Sequence, residues 1–179
     1  AGRAPGARAH AVTPDSAPYP ETHRAMAERV AREFAIPHRF VATAEMESEA
    51  YRRNAPDRCY HCKTELFHVL GRLREELGLD AVAYGVNTDD QGDFRPGHRA
   101  ADEQGVLSPF LSVGLGKAEI RSLSREAGLP TADLPASACL SSRLPYGTAV
   151  TPERLRQVES GEERLRGLGF RQVRLRHHG

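Results

Sequence analysis

The chain has 179 residues, which is enough for one domain with a hydrophobic core. Its formal net charge is only +1, so no global field favours nucleic acid or a membrane surface. No apolar run approaches the roughly 18 residues that a membrane helix requires, and no secretory signal is visible. Three cysteines fit a reducing compartment better than a disulfide framework, so we expect a cytoplasmic protein.

Both ends of the chain suggest a fragment of a longer protein. Residues 1–9 begin with Ala1 and are dominated by Gly, Pro and Arg, so we expect them to be disordered. The run 173–176 alternates like a strand and has nothing after it to pair with. We therefore expect further polypeptide on both sides.

Hydrophobic periodicity predicts an alternation of strands and helices. The predicted strands are 10–13, 37–43, 80–86 and 170–176, and the predicted helices are 21–34, 58–77, 117–127 and 152–168. Residues 45–56 are predicted to form a polar connection, and residues 87–105 a long loop. The run 80–86 is nearly all apolar, which is typical of a strand buried on both faces of a parallel sheet. The pattern predicts an α/β fold.

Two of the three cysteines, Cys59 and Cys62, form a Cys-x-x-Cys pair at the start of the helix for which Asp57 is the predicted N-cap. With the distant Cys139 they supply three thiolates, one fewer than a closed structural zinc site uses. A helix N-terminus lowers the pKa of a thiol. We therefore favour reactive or cluster-ligating cysteines.

Other interpretations of these cysteines remain open. They could be small core residues, because free cysteine is often buried. They could hold a structural zinc ion with His61 or another histidine as the fourth ligand, although His61 points away from both cysteines on a helix. A redox Cys-x-x-Cys is also conceivable, but its surroundings do not resemble the thioredoxin pattern.

Five polar residues follow the predicted strand 80–86: Asn87, Asp89, Asp90, Asp93 and Arg95. In open α/β sheets, sites form beyond the carboxyl ends of strands. These side chains could hold Mg²⁺ or a substrate. The alternative is a solvated acidic turn.

A second polar segment contains Ser141, Ser142 and Arg143, which together could bind phosphate or carboxylate. By itself the segment is only a turn. It lies just after Cys139 and just before the last predicted helix.

Glu162 falls on the apolar face that Leu155 and Val158 define in the last predicted helix. A carboxylate on such a face needs a partner, because burying it alone is costly. Arg174 and Arg176 alternate on one face of the following predicted strand and are candidate partners. The alternative is a glutamate near the helix end whose side chain reaches solvent.

Three blocks of this sequence resemble one known family. Residues 54–67 (NAPDRCYHCKTELF) are similar to its PPDRCYHCKxxLF block, and residues 85–97 are similar to its GxNxDDxxDxRPG block. Residues 137–151 resemble its ACLxSRxPYGxxVT block. The family is LarE, the ATP-dependent sulfur transferases of the PP-loop ATP pyrophosphatase superfamily, and the resemblance runs from about Val12 to the C-terminus.

The resemblance implies an enzyme that adenylates a carboxylate of a pyridinium mononucleotide and replaces it with a thiocarboxylate, for the nickel-pincer cofactor of lactate racemase. AMP turns the carboxylate oxygen into a leaving group for a sulfur nucleophile. ATP and Mg²⁺ would serve the full-length protein. Residues 10–147 would form an incomplete PP-loop domain, of the adenine nucleotide alpha hydrolase-like type, and residues 148–179 the beginning of a smaller α+β domain for substrate binding or oligomerisation.

The resemblance also implies roles for the cysteines. In the sacrificial type, one cysteine in the segment that matches Cys139 gives up its sulfur and becomes dehydroalanine. In a three-cysteine type, Cys59, Cys62 and Cys139 would hold a [4Fe–4S] cluster with one open iron.

Five further residues become substrate or phosphate contacts by the same position-by-position resemblance: Lys63, Arg143, Glu162, Arg174 and Arg176. Of these, Arg174 and Arg176 would bind the substrate phosphate.

The family's Ser-Gly-Gly-x-Asp-Ser loop, whose backbone N–H groups cradle pyrophosphate, does not occur in this sequence. We expect it before residue 1, so the chain as given should neither bind ATP well nor turn over. A small-molecule substrate and a homo-oligomer are expected, without nucleic acid or membrane. The alternatives are another PP-loop enzyme (tRNA thiolation or amide-forming) and a non-catalytic, zinc-stabilised binding module.

Overall fold

The computed structural model describes residues 8–92 and 95–178, which form an α/β arrangement with a small parallel sheet. The two strands are β1 (Ala11–Asp15) and β2 (His38–Ala42). The helices are α1 (Glu21–Glu33), α2 (Glu49–Arg52), α3 (Arg58–Glu76), α4 (Pro96–Glu103), α5 (Pro109–Ser112), α6 (Lys117–Glu126) and α7 (Pro152–Gly167). Short 3₁₀ turns occupy Glu45–Glu47, Thr88–Asp90 and Leu140–Arg143.

The sheet is a single β–α–β unit. β1 and β2 run parallel, with Ala11 opposite His38, and α1 makes the crossover that parallel strands require. Arg24 of α1 fastens the unit: its Nη1 lies 2.6 Å from Asp15 Oδ1, and its guanidinium carbon lies 4.0 Å from the centre of the Phe40 ring. This part confirms the predicted α/β class.

A first apolar cluster joins α3 to α4. Its buried members are Phe67, Ala100, Ala101 and Val106. The two helices approach closely because Gly97 has no side chain: a Cβ there would lie 3.0 Å from Cγ of Lys63. The cluster therefore holds α4 against the first half of α3.

A second apolar cluster joins α2, α7 and the segment between α6 and α7. Its buried members are Tyr51, Leu140, Leu144, Val150, Leu155 and Val158. Met46 and Cys62 pack against it. The first turns of α3, which carry the Cys-x-x-Cys pair, are thereby brought to the segment that contains Cys139.

The predicted strand 80–86 is wrong. Within the described ranges this segment makes one isolated parallel bridge, between Ala83 and Leu107. Tyr84 N donates to Leu107 O at 3.0 Å, and Leu107 N donates to Val82 O at 2.8 Å. The run packs its apolar side chains on α3 instead of pairing with further strands in a sheet. The centres of the Phe67 and Tyr84 rings, for example, lie 5.7 Å apart.

The predicted loop 87–105 is wrong in its second half, which is helix α4. Pro96 is in the first turn of α4, where a backbone N–H would have no partner within the helix, so proline loses no hydrogen bond there. Gly105, two residues after the helix, has the left-handed φ of +63°. Ala100 and Ala101 are fully buried against α3, and two small residues in a polar stretch gave little periodic signal.

The predicted strand 170–176 is also wrong. Within it, Leu175 N donates to Glu162 Oε1 of α7 at 3.2 Å, and just after it His177 N donates to Arg143 O in the 3₁₀ turn Leu140–Arg143 at 3.0 Å. Alternation of side chains produces a strand only where a neighbouring strand supplies a ladder.

The remaining predicted elements are confirmed to within two residues or fewer at each end, and the polar connection 45–56 carries a 3₁₀ turn and α2. Thr151 caps α7 as predicted, its hydroxyl oxygen accepting from Arg154 N at 3.4 Å. The domain boundary at residue 147 stays a prediction, and most of the stretch 1–9 lies outside the described residues. Across the described part of the chain, no helix has the length and apolar character needed to cross a membrane.

Candidate functional site

A buried polar network links the start of α3 to the segment that follows Cys139. Asn54, with no exposed surface, donates from Nδ2 to the carbonyl oxygens of Pro145 and Thr148 at 2.8 and 3.0 Å. Its Oδ1 accepts from Arg58 Nη1, which also donates to Ser141 O at 2.9 Å. Asn54 adopts φ +56°, a left-handed conformation that asparagine tolerates better than most residues. The network fixes the two segments relative to each other.

A second buried contact joins the same two segments. The Tyr51 and Ser141 hydroxyls lie 2.8 Å apart, and both residues are almost fully buried. Burial raises the pKa of Tyr51, so this hydroxyl stays protonated at neutral pH. Ser141 therefore serves the core rather than a ligand.

The three cysteines lie in or next to the two segments that this network links. Cys59 is exposed, whereas Cys62 and Cys139 are half-buried. Among the described residues, however, no three side chains of the His, Cys, Asp or Glu type lie at a spacing that could hold a metal ion. The described side chains thus form no ready site for a single metal ion such as zinc. A [4Fe–4S] cluster at the three cysteines stays a prediction.

The thiol of Cys62 is not activated by the helix N-terminus as the sequence predicts. Burial raises its pKa to about 12, and the charges of Glu45 and Cys139 act in the same direction. Packing against the second apolar cluster outweighs the favourable helix dipole. Glu45 is only 3% exposed, and its Oε2 has no hydrogen-bond partner among the described residues.

Glu162 is buried, as its position on the apolar face of α7 predicts, and it does not reach solvent. Arg143 donates to it from Nε at 2.8 Å and from Nη2 at 3.4 Å. Arg166 Nη2 donates to Glu162 Oε2 at 2.8 Å. The predicted partners Arg174 and Arg176 are therefore wrong, because one turn of α7 and the preceding 3₁₀ turn already supply both guanidinium groups.

Arg143 also holds the backbone at Cys139. Its Nη1 donates to the carbonyl oxygens of Ala138 and Cys139 at 2.9 and 3.2 Å, and to Ser142 Oγ at 2.8 Å. The side chain of Arg143 is 3% exposed. The predicted Ser-Ser-Arg anion site thus has its polar groups largely engaged inside the protein.

The C-terminal segment crosses α7 beside this ion-pair cluster. Leu175 packs on Gly161, where a Cβ would overlap its side chain. Arg174 Nη2 donates to Ala136 O at 3.3 Å. An open cavity of about 220 Å³ lies beside this segment, lined mainly by α1 and by the segments 134–137 and 171–174.

The cavity is basic. Its charged and titratable lining residues are His23, Arg143, Arg166, Arg171 and Arg174. Burial and the charges of Arg166 and Arg143 lower the pKa of His23, so its ring is neutral at pH 7. Within the described ranges, neither Arg171 nor Arg174 forms an ion pair, and Arg176 is not among the lining residues. The cavity suits an anion.

In the acidic loop after residue 86, the charge of the buried Asp90 is balanced by nearby basic side chains. Asp90 accepts from Asn87 Nδ2 at 2.9 Å and lies 3.0 Å from Arg95 Nη2 and 3.2 Å from Lys117 Nζ. Burial would raise the pKa of Asp90, but the hydrogen bonds from Asn87 and Lys117 and the Arg95 charge hold it below its usual range. Asp89 accepts from Lys117 N at 2.6 Å and so caps α6. The solvated-turn interpretation is wrong for Asn87 and Asp90, which are both buried.

Two other predicted residues complete the survey. Asp93 lies outside the described residues. Lys63 is half-buried, its Nζ lies 5.7 Å from the centre of the Phe67 ring, and its charge lowers the pKa of Cys62. Lys63 therefore adjoins Cys62, and its role as a substrate contact stays a prediction.

Sequence reasoning missed Asn54, Arg58 and Arg166, although each left a signal. Arg166 stands four residues after Glu162, the spacing of an ion pair on one helix face. Arg58 places a cation in the first turn of α3, where the helix dipole disfavours it. An asparagine between two helices is a common left-handed residue.

The sequence is similar to proteins of bacteria and archaea. A protein named pyridinium-3,5-bisthiocarboxylic acid mononucleotide synthase, from Lactiplantibacillus plantarum, is 35% identical over 133 residues, which are 74% of this chain and 48% of that protein. This likeness supports the LarE family. Uncharacterised proteins of Synechocystis sp. and Methanocaldococcus jannaschii are 45% and 33% identical over 84% and 70% of this chain, and 56% and 49% of their own lengths. The chain thus spans about half the length of these relatives, and no family model matches it.

Proposed function

We propose that this chain is part of a LarE-type, ATP-dependent sulfur transferase that converts a carboxylate of a pyridinium mononucleotide into a thiocarboxylate for the nickel-pincer cofactor of lactate racemase. The observation that carries the proposal is the 35% identity to the Lactiplantibacillus synthase. The buried ion pair and the basic cavity, which Ser137 and Arg143 help to line, are consistent with it.

The basic cavity is the proposed seat of the substrate phosphate. Arg174 lines it together with Arg166 and Arg171, and guanidinium groups bind phosphate through paired N–H donors. Arg176, two residues further along the same segment, would assist at the rim. Glu162 would keep Arg143 and Arg166 oriented, because the buried carboxylate accepts a 2.8 Å hydrogen bond from each of them.

Cys139 is the proposed sulfur donor. Adenylation joins the substrate carboxylate oxygen to the α-phosphorus of ATP and releases pyrophosphate. The Cys139 thiolate attacks the acyl carbon, which forms a thioester and releases AMP. Removal of the Cα proton of Cys139 and cleavage of its Cβ–Sγ bond then release the thiocarboxylate and leave dehydroalanine. The hydrogen bond from Arg143 Nη1 to the Cys139 carbonyl oxygen would make that Cα proton more acidic.

The ATP-binding part is also a proposal. We expect the Ser-Gly-Gly-x-Asp-Ser loop, and with it ATP and Mg²⁺, in the polypeptide outside these residues. Cytoplasmic location, a small-molecule partner and self-association belong to the same proposal.

The test uses the full-length protein with substrate, ATP and Mg²⁺, followed by mass spectrometry of product and protein. We expect thiocarboxylate product and a Cys139 peptide that is lighter by one H₂S. Cys139→Ala should make no product, whereas Cys59→Ala should retain a single turnover. Absence of thiocarboxylate would refute the proposed function. A different result would identify a cluster, rather than Cys139, as the source of sulfur. That result is the presence of iron and acid-labile sulfide after anaerobic purification, together with loss of turnover in Cys59→Ala.

A further inference from the structure

Arg58 is a buried cation in an unfavourable place. It is the first residue of α3 and is 5% exposed. The N-terminal turn of a helix carries a partial positive charge, which disfavours a cation there. Its burial therefore needs a compensating interaction.

The partners of Arg58 do not provide a counter-charge. Nη1 donates to Asn54 Oδ1 and to Ser141 O, which are both neutral oxygens. In the described part of the chain Arg58 forms no ion pair with a carboxylate, although exposed Arg53, one turn earlier, pairs with Asp57. A buried charge without a counter-charge is costly, so its retention calls for an anion from elsewhere.

The guanidinium is also held in one orientation. Asn54, which accepts from it, is itself anchored by Nδ2 to the carbonyl oxygens of Pro145 and Thr148 and lies in a fully buried position. The contacts of Arg58 with Asn54 and Ser141 both use Nη1, so Nη2 takes no part in them. A pre-oriented donor loses little freedom when a ligand binds.

The Nη2 edge is directed toward an accessible thiol. Arg58 Nη2 lies 4.0 Å from Cys59 Sγ, and Cys59 is exposed. The charge of the buried Arg58, which has no carboxylate partner among the described residues, therefore lies next to the exposed Cys59.

We propose that Arg58 is an anion-binding residue that brings a small carboxylate or thiocarboxylate group to Cys59, with Asn54 as its positioning residue. With Nη1 occupied, Nη2 is the donor that remains for an oxygen of a carboxylate or thiocarboxylate, and the positive charge favours either anion. The inference rests on the proposed function only for the natural ligand, which would be the substrate carboxyl group. The charge and its placement are independent of it.

The test compares two alkylating reagents at Cys59, anionic iodoacetate and neutral iodoacetamide. Both react with the same thiolate, so the ratio of their rates cancels the thiol pKa and reports recruitment of the anion. Peptide mass spectrometry separates Cys59 from the other cysteines. We expect Arg58→Gln to lower the ratio about fivefold, the effect of one charge at about 4 Å in a water-like medium. Arg58→Lys should keep a higher ratio than Arg58→Gln.

The matched control is Arg53→Gln, which removes an exposed arginine that pairs with Asp57 on the surface. Its ratio should equal that of the unchanged protein. If the ratio in Arg53→Gln falls as far as the ratio in Arg58→Gln, the net positive charge of the region attracts iodoacetate rather than Arg58 itself, and the proposal is overturned. The proposal is also overturned if folded Arg58→Gln, verified by circular dichroism, keeps the original ratio.

A measurement on the unchanged protein covers the case in which Arg58→Gln does not fold. Replacing chloride by acetate at constant ionic strength should slow iodoacetate at Cys59 and leave iodoacetamide unaffected. An iodoacetate rate at Cys59 that is the same in acetate as in chloride would overturn the proposal. The assay uses neither ATP nor substrate, so its failure and the absence of turnover are separate results.

Discussion

Replacement of Glu162 by glutamine tests the buried ion-pair cluster directly. Glutamine keeps the shape of the side chain but removes its charge, and its amide N–H groups would face the donors of Arg143 or Arg166. Arg143, at 3% exposed, would then be a buried cation without a counter-charge. Breaking a buried ion pair by removing one partner costs about 3–5 kcal/mol, and we expect a loss of that size at pH 7.

The loss should depend on pH in a defined direction. Burial alone would raise the pKa of Glu162, but the hydrogen bond and charge of Arg143, the N–H of Leu175 and the charge of Arg166 hold it below the ordinary 4.5. A carboxyl group whose pKa is lower in the folded than in the unfolded state stabilises the folded state at pH values above the unfolded-state pKa. This stabilisation is lost as the pH falls through the lower pKa of the folded state. The gap between the unchanged protein and Glu162→Gln should therefore narrow below pH 4.5.

Urea unfolding followed by circular dichroism measures the effect. With a slope of about 2 kcal/mol per molar urea, the midpoint should fall by about 1.5–2.5 M at pH 7. Glu163→Gln is the matched control, because Glu163 is the neighbouring residue and is exposed; its free energy of unfolding should change by less than about 0.5 kcal/mol. Equal shifts in the two variants, or a gap that does not narrow in acid, would refute the reasoning.

Three further predictions concern the same region. At pH 8 iodoacetamide should label Cys59 well before Cys62, whose labelling rate should still rise above pH 10 because its pKa is about 12; equal rates would contradict its burial. Asn54→Ala should lower the free energy of unfolding by about 1 kcal/mol more than Asn54→Gly, since both lose the buried hydrogen bonds but only alanine strains φ +56°; urea midpoints in the reverse order would disprove this. Gly161→Ala should speed tryptic cleavage of the C-terminal segment, and the added change Leu175→Ala should remove that effect, because the new Cβ overlaps only the leucine; unchanged cleavage would show that the contact is unimportant.

Local signals predicted the four longest helices, α1, α3, α6 and α7, and predicted strands correctly only where a partner strand was available. The helix at Pro152–Gly167 follows from its Thr151 cap and its apolar face, which act within one segment. The run 80–86 has strong strand character, yet a strand exists only through a neighbour, and Leu107 supplies a single bridge. In the same way, α4 depends on the fit of Ala100 and Ala101 against α3, which no local pattern announces.

The sequence by itself placed Glu162 on the apolar face of the last helix, where a buried carboxylate would need a partner, and placed the cysteine pair at the start of a helix. The tertiary structure decided which groups meet them: Arg143 and Arg166 at the carboxylate, and the anchored guanidinium of Arg58 at Cys59. It also decided that Cys62 is a poorly acidic thiol, because burial against the second apolar cluster outweighs the helix dipole. Periodicity states that a side chain is buried, whereas its partners and its pKa depend on segments far away in the chain.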